Sequence, residues 1–255
     1  MATSPKCCQL PPVSHEYTPK GRFETIAGLN TYIVGPENAT RGIIDLFDIF
    51  GIKPSQTIQG ADRLAAHADA VVLVPDFFHG QGLDPSLVPM DTDEKRAKVM
   101  EFMAAVGDIP RSVAKLVEVR RAAAERFPAA GDRWGAFGLC WGGKVAVLAS
   151  GEGNDGEGRR FKASGQTHPG LMDEKDAKAV TCPHLVLVTP DEPADVVAQY
   201  KEALSQPGKE GSSVVKFETM FHGWMGARAK LTDEENVKEY ERGYAMVGKF
   251  FSEQL

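Results

Sequence analysis

An α/β architecture, with a mostly parallel central sheet and helices on both faces, is the fold class that this 255-residue chain predicts. Two observations predict it. Compact apolar runs alternate with stretches of helical periodicity, and most of the runs are apolar throughout, as strands buried on both faces must be. The size, with 42% apolar and 25% charged residues, fits one globular domain with one large core. In chain order, Arg22–Ile26 and Thr31–Val34 flank Ala27-Gly28-Leu29-Asn30 as a short antiparallel hairpin. Gly42–Phe47, Val71–Pro75, Trp134–Gly138, His184–Pro190 and Val214–Met220 read as strands. Ser112–Phe127 puts Val113, Leu116, Val117, Ala124 and Phe127 mostly on one face of a helix. Val237, Tyr240, Tyr244, Val247 and Phe251 form the stripe of a terminal helix, and Thr232 with Glu235 reads as its capping box. Residues 1–20 carry no periodicity and read as a loose arm, with 21–255 as a single domain. The Gly-rich stretch 151–158 and the stretch 206–211 are loops within it, and no insertion is long enough for a large lid domain.

Composition excludes several function classes. A net charge of −6 without a Lys/Arg cluster makes nucleic acid a poor partner. No apolar run reaches the roughly 18 residues of a membrane helix, and the first residues lack the pattern of a signal peptide. Cys7, Cys8, Cys140 and Cys182 are too sparse for a disulfide scaffold, so a reducing, cytoplasmic setting is expected. No HExxH or paired Cys/His spacing suggests a metal, and no cofactor is implied. Monomer and homodimer both remain open.

The chemistry concentrates at Gly138-Leu139-Cys140-Trp141-Gly142-Gly143, between the strand Trp134–Gly138 and the helical run Lys144–Ala149. Strand, G-x-C-x-G-G, helix has the layout of a nucleophile elbow with sulfur in place of the serine oxygen. A sharp, strained turn needs small neighbours, because strand and helix approach closely. It also sets the thiol at a helix N-terminus, where the dipole and unused N–H groups favour a thiolate and later an oxyanion. A dinucleotide-binding loop is the rival reading, but that fingerprint follows the first strand of its unit and this turn sits midway along the chain.

An elbow nucleophile is followed in the chain by an acid and then a histidine. Three histidines follow Cys140. His184 opens an apolar strand and reads as structural; His168, in Thr167-His-Pro-Gly170, reads either as a residue backing the reacting groups or as a pocket residue. His222, in Phe221-His-Gly-Trp224 just past the last strand, is the expected base. Asp191, first after the strand His184–Pro190, is the expected acid in preference to Asp195.

This set resembles the dienelactone hydrolase family (carboxymethylenebutenolidases), in its eukaryotic, fungal-type branch. Gly138–Gly143, Asp191 and His222-Gly-Trp carry the resemblance, with Asp45-Leu-Phe-Asp-Ile-Phe-Gly51 and Val74-Pro-Asp-Phe-Phe78 in support. It covers about residues 17–255 and implies an α/β-hydrolase fold. It further implies Cys140 as nucleophile, His222 as general base and then acid, and Asp191 as its orienter. The backbone N–H groups of Trp141 and Ile49 would form the oxyanion hole. Asp48 stands near a position where the family commonly has Glu beside the thiol. Arg228 would be an anion clamp, and Phe50, Phe78, His79, His168 and Trp224 would belong to the substrate pocket. The implied activity is hydrolysis of a small-molecule ester or lactone through an acyl-thioester. Two alternatives stay open at this point: a non-hydrolytic conversion on the same triad, and a non-enzymatic thiol sensor or small-molecule binder. A glutaminase-like fold with an elbow cysteine is disfavoured, because it places His directly after the Cys, where this chain has Trp141.

Overall fold

The computed structural model describes residues 11–13, 16–152 and 160–255; Cys7, Cys8 and most of the Gly-rich stretch after Gly151 lie outside the described residues. Eight strands form one open sheet in the order β1-β2-β4-β3-β5-β6-β7-β8. They are β1 Arg22–Ile26, β2 Leu29–Val34, β3 Gly42–Leu46, β4 Val71–Pro75, β5 Trp134–Leu139, β6 Ala163–Thr167, β7 His184–Val188 and β8 Ser213–Lys216. β1–β2 and β2–β4 pair antiparallel, and every later pairing is parallel. The predicted α/β class and N-terminal hairpin are therefore both present. The hairpin is tighter than expected: Ile26 pairs with Leu29, leaving Ala27 (φ 48°) and Gly28 (φ 77°) as a two-residue turn whose positive φ values match strand twist.

The helices are α1 Ser55–Ala68, α2 Asp93–Ala105, α3 Ile109–Arg126, α4 Trp141–Ala149, α5 Glu174–Ala179, α6 Ala194–Leu204 and α7 Glu234–Gln254. α1 packs on α7, and α3 packs on α4. Fit, not propensity, explains Gly60 in α1: a Cβ there would lie 2.0 Å from the Tyr244 hydroxyl of α7. The apolar stripe of α7 is buried as predicted at Tyr240, Tyr244, Val247 and Phe251. Its cap is Asp233, whose side chain accepts from the Asn236 N–H, and not Thr232. Asp is as good an N-cap as Thr and sits one residue nearer the helix.

One strand escaped the sequence reading. β6, Ala-Ser-Gly-Gln-Thr, is wholly buried but has no apolar run. Its polar groups are satisfied sideways: Gln166 Nε2 lies 3.0 Å from His184 Nε2, and Ser164 Oγ lies 2.7 Å from His184 Nδ1. The amide N–H donates to Nε2, so Nδ1–H donates to the serine. Burial pushes the His184 pKa down to about 3, which keeps the ring neutral, as befits the structural histidine expected there.

The N-terminal arm is strapped down where it is described, and not loose. The Val13 N–H donates to the Ala227 carbonyl (2.8 Å), Gln56 Nε2 donates to the Val13 carbonyl (2.6 Å), and the Tyr17 hydroxyl donates to Asp62 Oδ2 (2.6 Å).

Candidate active site at the carboxyl edge of the sheet

Cys140 caps α4 in the sharp turn after β5, at φ 52° and ψ −107°, a conformation that costs a non-Gly residue about 1–3 kcal/mol. The glycines around it are forced by contact. A Cβ on Gly138 would fall 2.1 Å from the Gly142 carbonyl carbon, and one on Gly142 would fall 2.4 Å from the Leu46 carbonyl oxygen. The end of β6 and the loop after it brace the turn: the Cys140 N–H donates to the Thr167 carbonyl (3.2 Å), and the Gly170 N–H donates to the Cys140 carbonyl (3.3 Å). The thiol is reduced and 3% exposed.

The Trp141 side chain is held away from the thiol. Its indole N–H donates to the Gly107 carbonyl (2.8 Å), and its ring sits 4.5 Å from Phe78 and 5.9 Å from Phe47 between centroids. Its backbone N–H belongs to the first turn of α4, whose amides have no intrahelical acceptor.

His222 sits in the loop after β8 and is 2% exposed. Its Nδ1 lies 2.9 Å from Glu192 Oε1. The carboxylate at the ring is therefore Glu192, one residue beyond the Asp191 expected from the sequence. Asp191 Oδ2 instead accepts the backbone N–H of His222 at 2.9 Å, so it positions the loop. Thr189 decides which carboxylate takes which place. Its N–H and hydroxyl both donate to Glu192 Oε2, which turns Oε1 toward the imidazole. Thr189-Pro-Asp-Glu192 has the Thr-x-x-Glu spacing of a capping box, a signal that could have selected Glu192. An ionised Glu192 only accepts, so the proton is on Nδ1 and Nε2 is the basic nitrogen.

Cys140, His222, Ile49, Phe50, Asp48, Gly223 and Arg228 line one narrow crevice of about 170 Å³. Asp48 ties two of its walls together: Oδ1 accepts from the Phe50 N–H (3.0 Å) and Oδ2 from the Ala227 N–H (2.9 Å). Burial raises its pKa, and these N–H groups and nearby Arg228 oppose the rise. The Arg228 guanidinium lies 5.2 Å from the Phe50 ring centroid and is 3% exposed. It is buried at the crevice, unlike an ordinary surface arginine.

The other predicted pocket residues do not line the crevice. His168 is fully buried beside His222, with ring centroids 5.1 Å apart and edge-to-face. Burial, then the neighbouring His222 and Arg228, hold its pKa well below the usual imidazole value. Phe78 and His79 line a separate cavity with Gly28, Arg111 and Lys115, which contains neither Cys140 nor His222. Trp224 is core: it packs 4.5 Å from Phe217, and a Cβ on Gly243 of α7 would strike its ring. An aromatic next to a histidine reads the same in sequence whether it faces a pocket or a helix.

Among the described residues, no group of three or more His, Cys, Asp and Glu side chains is arranged to hold a metal ion, and no helix is long and apolar enough to cross a membrane.

An elbow cysteine after a central parallel strand, with a carboxylate-bound histidine beyond a later strand, is the arrangement of the α/β-hydrolase fold. Comparison with known proteins narrows the class. The model of the dienelactone hydrolase family matches residues 29–255, and the chain belongs to that family. Two uncharacterized AIM2 family proteins of Schizosaccharomyces pombe are similar over nearly their whole length. One is 36% identical, covering 92% of this chain and 92% of the relative; the other is 35% identical, covering 95% of each. The fold is shared with a dienelactone hydrolase from Anabaena variabilis (TM-score 0.62, 16% identity, 94% of this chain and 100% of that one). It is also shared with P91, a dienelactone hydrolase-like promiscuous phosphotriesterase from metagenomic libraries (TM-score 0.62, 17% identity, 92% and 98%).

Proposed function

We propose that the chain hydrolyses a small-molecule ester or lactone through a Cys140–His222–Glu192 triad and an acyl-thioester intermediate. The observation that carries this reading is the buried 2.9 Å contact of His222 Nδ1 with Glu192 on a ring that lines the same crevice as Cys140. His222 Nε2 takes the thiol proton, and the thiolate sulfur attacks the carbonyl carbon. The carbonyl oxygen becomes an oxyanion between the N–H groups of Trp141 and Ile49. Each such donor is worth roughly 3–4 kcal/mol in serine enzymes. Collapse of this intermediate breaks the C–O bond, and the alkoxide leaves with the proton from His222. Water then gives a proton to His222 and its oxygen to the acyl carbon, which frees the acid and restores the thiol. Glu192 holds the imidazole in the required tautomer, and Asp191 and Asp48 hold the loops that present His222 and Ile49.

The reading is tested with Cys140→Ala and His222→Ala on p-nitrophenyl esters and a panel of lactones. Each variant should keep its fold, followed by circular dichroism, and lose turnover. Full activity in either one overturns the triad.

A further inference from the structure

The catalytic crevice is too small to hold an ester by itself, at about 170 Å³ of open space. A second, largely apolar cavity of about 480 Å³ lies next to it, and Phe50 lines both. Its other walls are Pro54 at the start of α1, Leu83 and Pro85 from the loop after β4, and Pro12 and Val13 from the N-terminal arm. Gly82 and the exposed residues Lys53 and Asp84 complete the lining. Cavity and crevice share one framework. The Leu83 N–H donates to the carbonyl of Ile49 (2.8 Å), the residue whose own N–H is the proposed oxyanion donor. The arm closes the far side: the Val13 N–H donates to the Ala227 carbonyl, and the Ala227 N–H donates in turn to Asp48 of the crevice.

We propose that this cavity binds the hydrophobic acyl group of the substrate, and that Pro12 and Val13 of the N-terminal arm are specificity residues. The proposal rests on the hydrolase reading for its substrate class, and its physical content is that Phe50 is a wall of both the crevice that holds Cys140 and this cavity. The acyl group stays on sulfur until water releases it, so it needs an apolar surface beside the nucleophile. The alcohol of an open ester needs none, because it departs; that of a lactone stays tethered to the acyl group. The cavity walls are apolar where they meet Phe50, and charge is confined to exposed Lys53 and Asp84, which fits an aliphatic chain.

The test delivers an alkyl chain from the sulfur itself. Methyl and n-hexyl methanethiosulfonates react with a thiolate, forming an S–S bond and expelling methanesulfinate. Labelling of the Cys140 peptide is followed by mass, with glutathione as the reference thiol. Each buried methylene is worth about fourfold. Burying only two of the five additional methylenes should therefore favour hexyl over methyl by more than tenfold relative to glutathione. Val13→Asp, at a residue 37% exposed, should collapse that ratio toward one, and Val13→Leu should keep it. A wild-type ratio equal to that of glutathione, a ratio unmoved by Val13→Asp, or no labelling of Cys140 by either reagent would overturn the proposal. The reaction needs only a thiol, so it reads the cavity whether or not the protein turns over esters. Failed ester hydrolysis with a high hexyl preference would refute the hydrolase reading and leave the cavity standing.

Discussion

Replacing Glu192 with Gln changes two atoms' worth of chemistry and keeps the shape. Glu192 Oε2 receives two donors from Thr189, its N–H and its hydroxyl, and Oε1 receives His222 Nδ1–H. A glutamine can offer an oxygen to only one of these partners. Two donors at Thr189 outweigh one at the ring, so the amide oxygen stays on Thr189 and its NH2 faces Nδ1. Nδ1 must then accept, which moves the imidazole proton to Nε2, the atom that takes the thiol proton. The wrong tautomer costs a serine triad about 10⁴ in kcat, and a loss of 10³–10⁴ is expected here. Asp191→Asn is the control. Its side-chain oxygen can still accept the His222 backbone N–H, so the loss should stay within about tenfold, the worth of one weakened charged hydrogen bond. The assay is kcat/KM for p-nitrophenyl acetate, with thermal melts to confirm folding. A larger loss in Asp191→Asn than in Glu192→Gln would refute the assignment of Glu192 to the ring.

Two further predictions concern stability. Asp45 of β3 is fully buried with both carboxylate oxygens lacking a hydrogen-bond partner, and burial pushes its pKa up to about 8. The unfolded chain loses this proton near pH 4 and the folded one near pH 8, so stability falls as pH rises between those values. Asp45→Asn should raise the melting temperature more at pH 8 than at pH 5, with a stability difference of at most about 4 kcal/mol, and equal gains at both would sink the argument. Lys144 of α4 and Asp176 of α5 form a buried ion pair, 4% and 8% exposed at the side chain. Burial raises the Asp176 pKa despite the hydrogen bond from Lys144. Lys144→Met should cost roughly 3–5 kcal/mol in urea unfolding by stranding the carboxylate, and adding Asp176→Leu should recover most of it. A double variant no better than the single one would contradict this.

Apolar runs made β3, β4, β5 and β7 legible, because a parallel strand covered on both faces has no reason to be polar. β6 stayed hidden because its Ser164 and Gln166 are paid for by His184, a partner on another strand. The nucleophile was legible because Gly138, Gly142 and Gly143, which frame Cys140, are dictated by local sterics. The orienting acid was not, since the choice between two adjacent carboxylates is made by hydrogen bonds from Thr189. The pocket was least legible. Asp48, Phe50 and Arg228 reach the crevice and His168 lies against the His222 ring, whereas Phe78, His79 and Trp224 face other surroundings. The strap formed by Val13 is invisible to periodicity, because it depends on backbone contacts with Ala227 and the side chain of Gln56.

The central claim is that acyl transfer passes through sulfur. The direct measurement is the mass of the Cys140 peptide after millisecond acid quench of the protein with a p-nitrophenyl ester or a lactone. The account predicts an added acyl mass on Cys140 that appears before free acid and decays as the acid forms. It also predicts that in Glu192→Gln the adduct forms more slowly, in step with the lost turnover. Turnover with no acyl mass ever present on Cys140, or the same mass on another residue with Cys140→Ala still active, would contradict it.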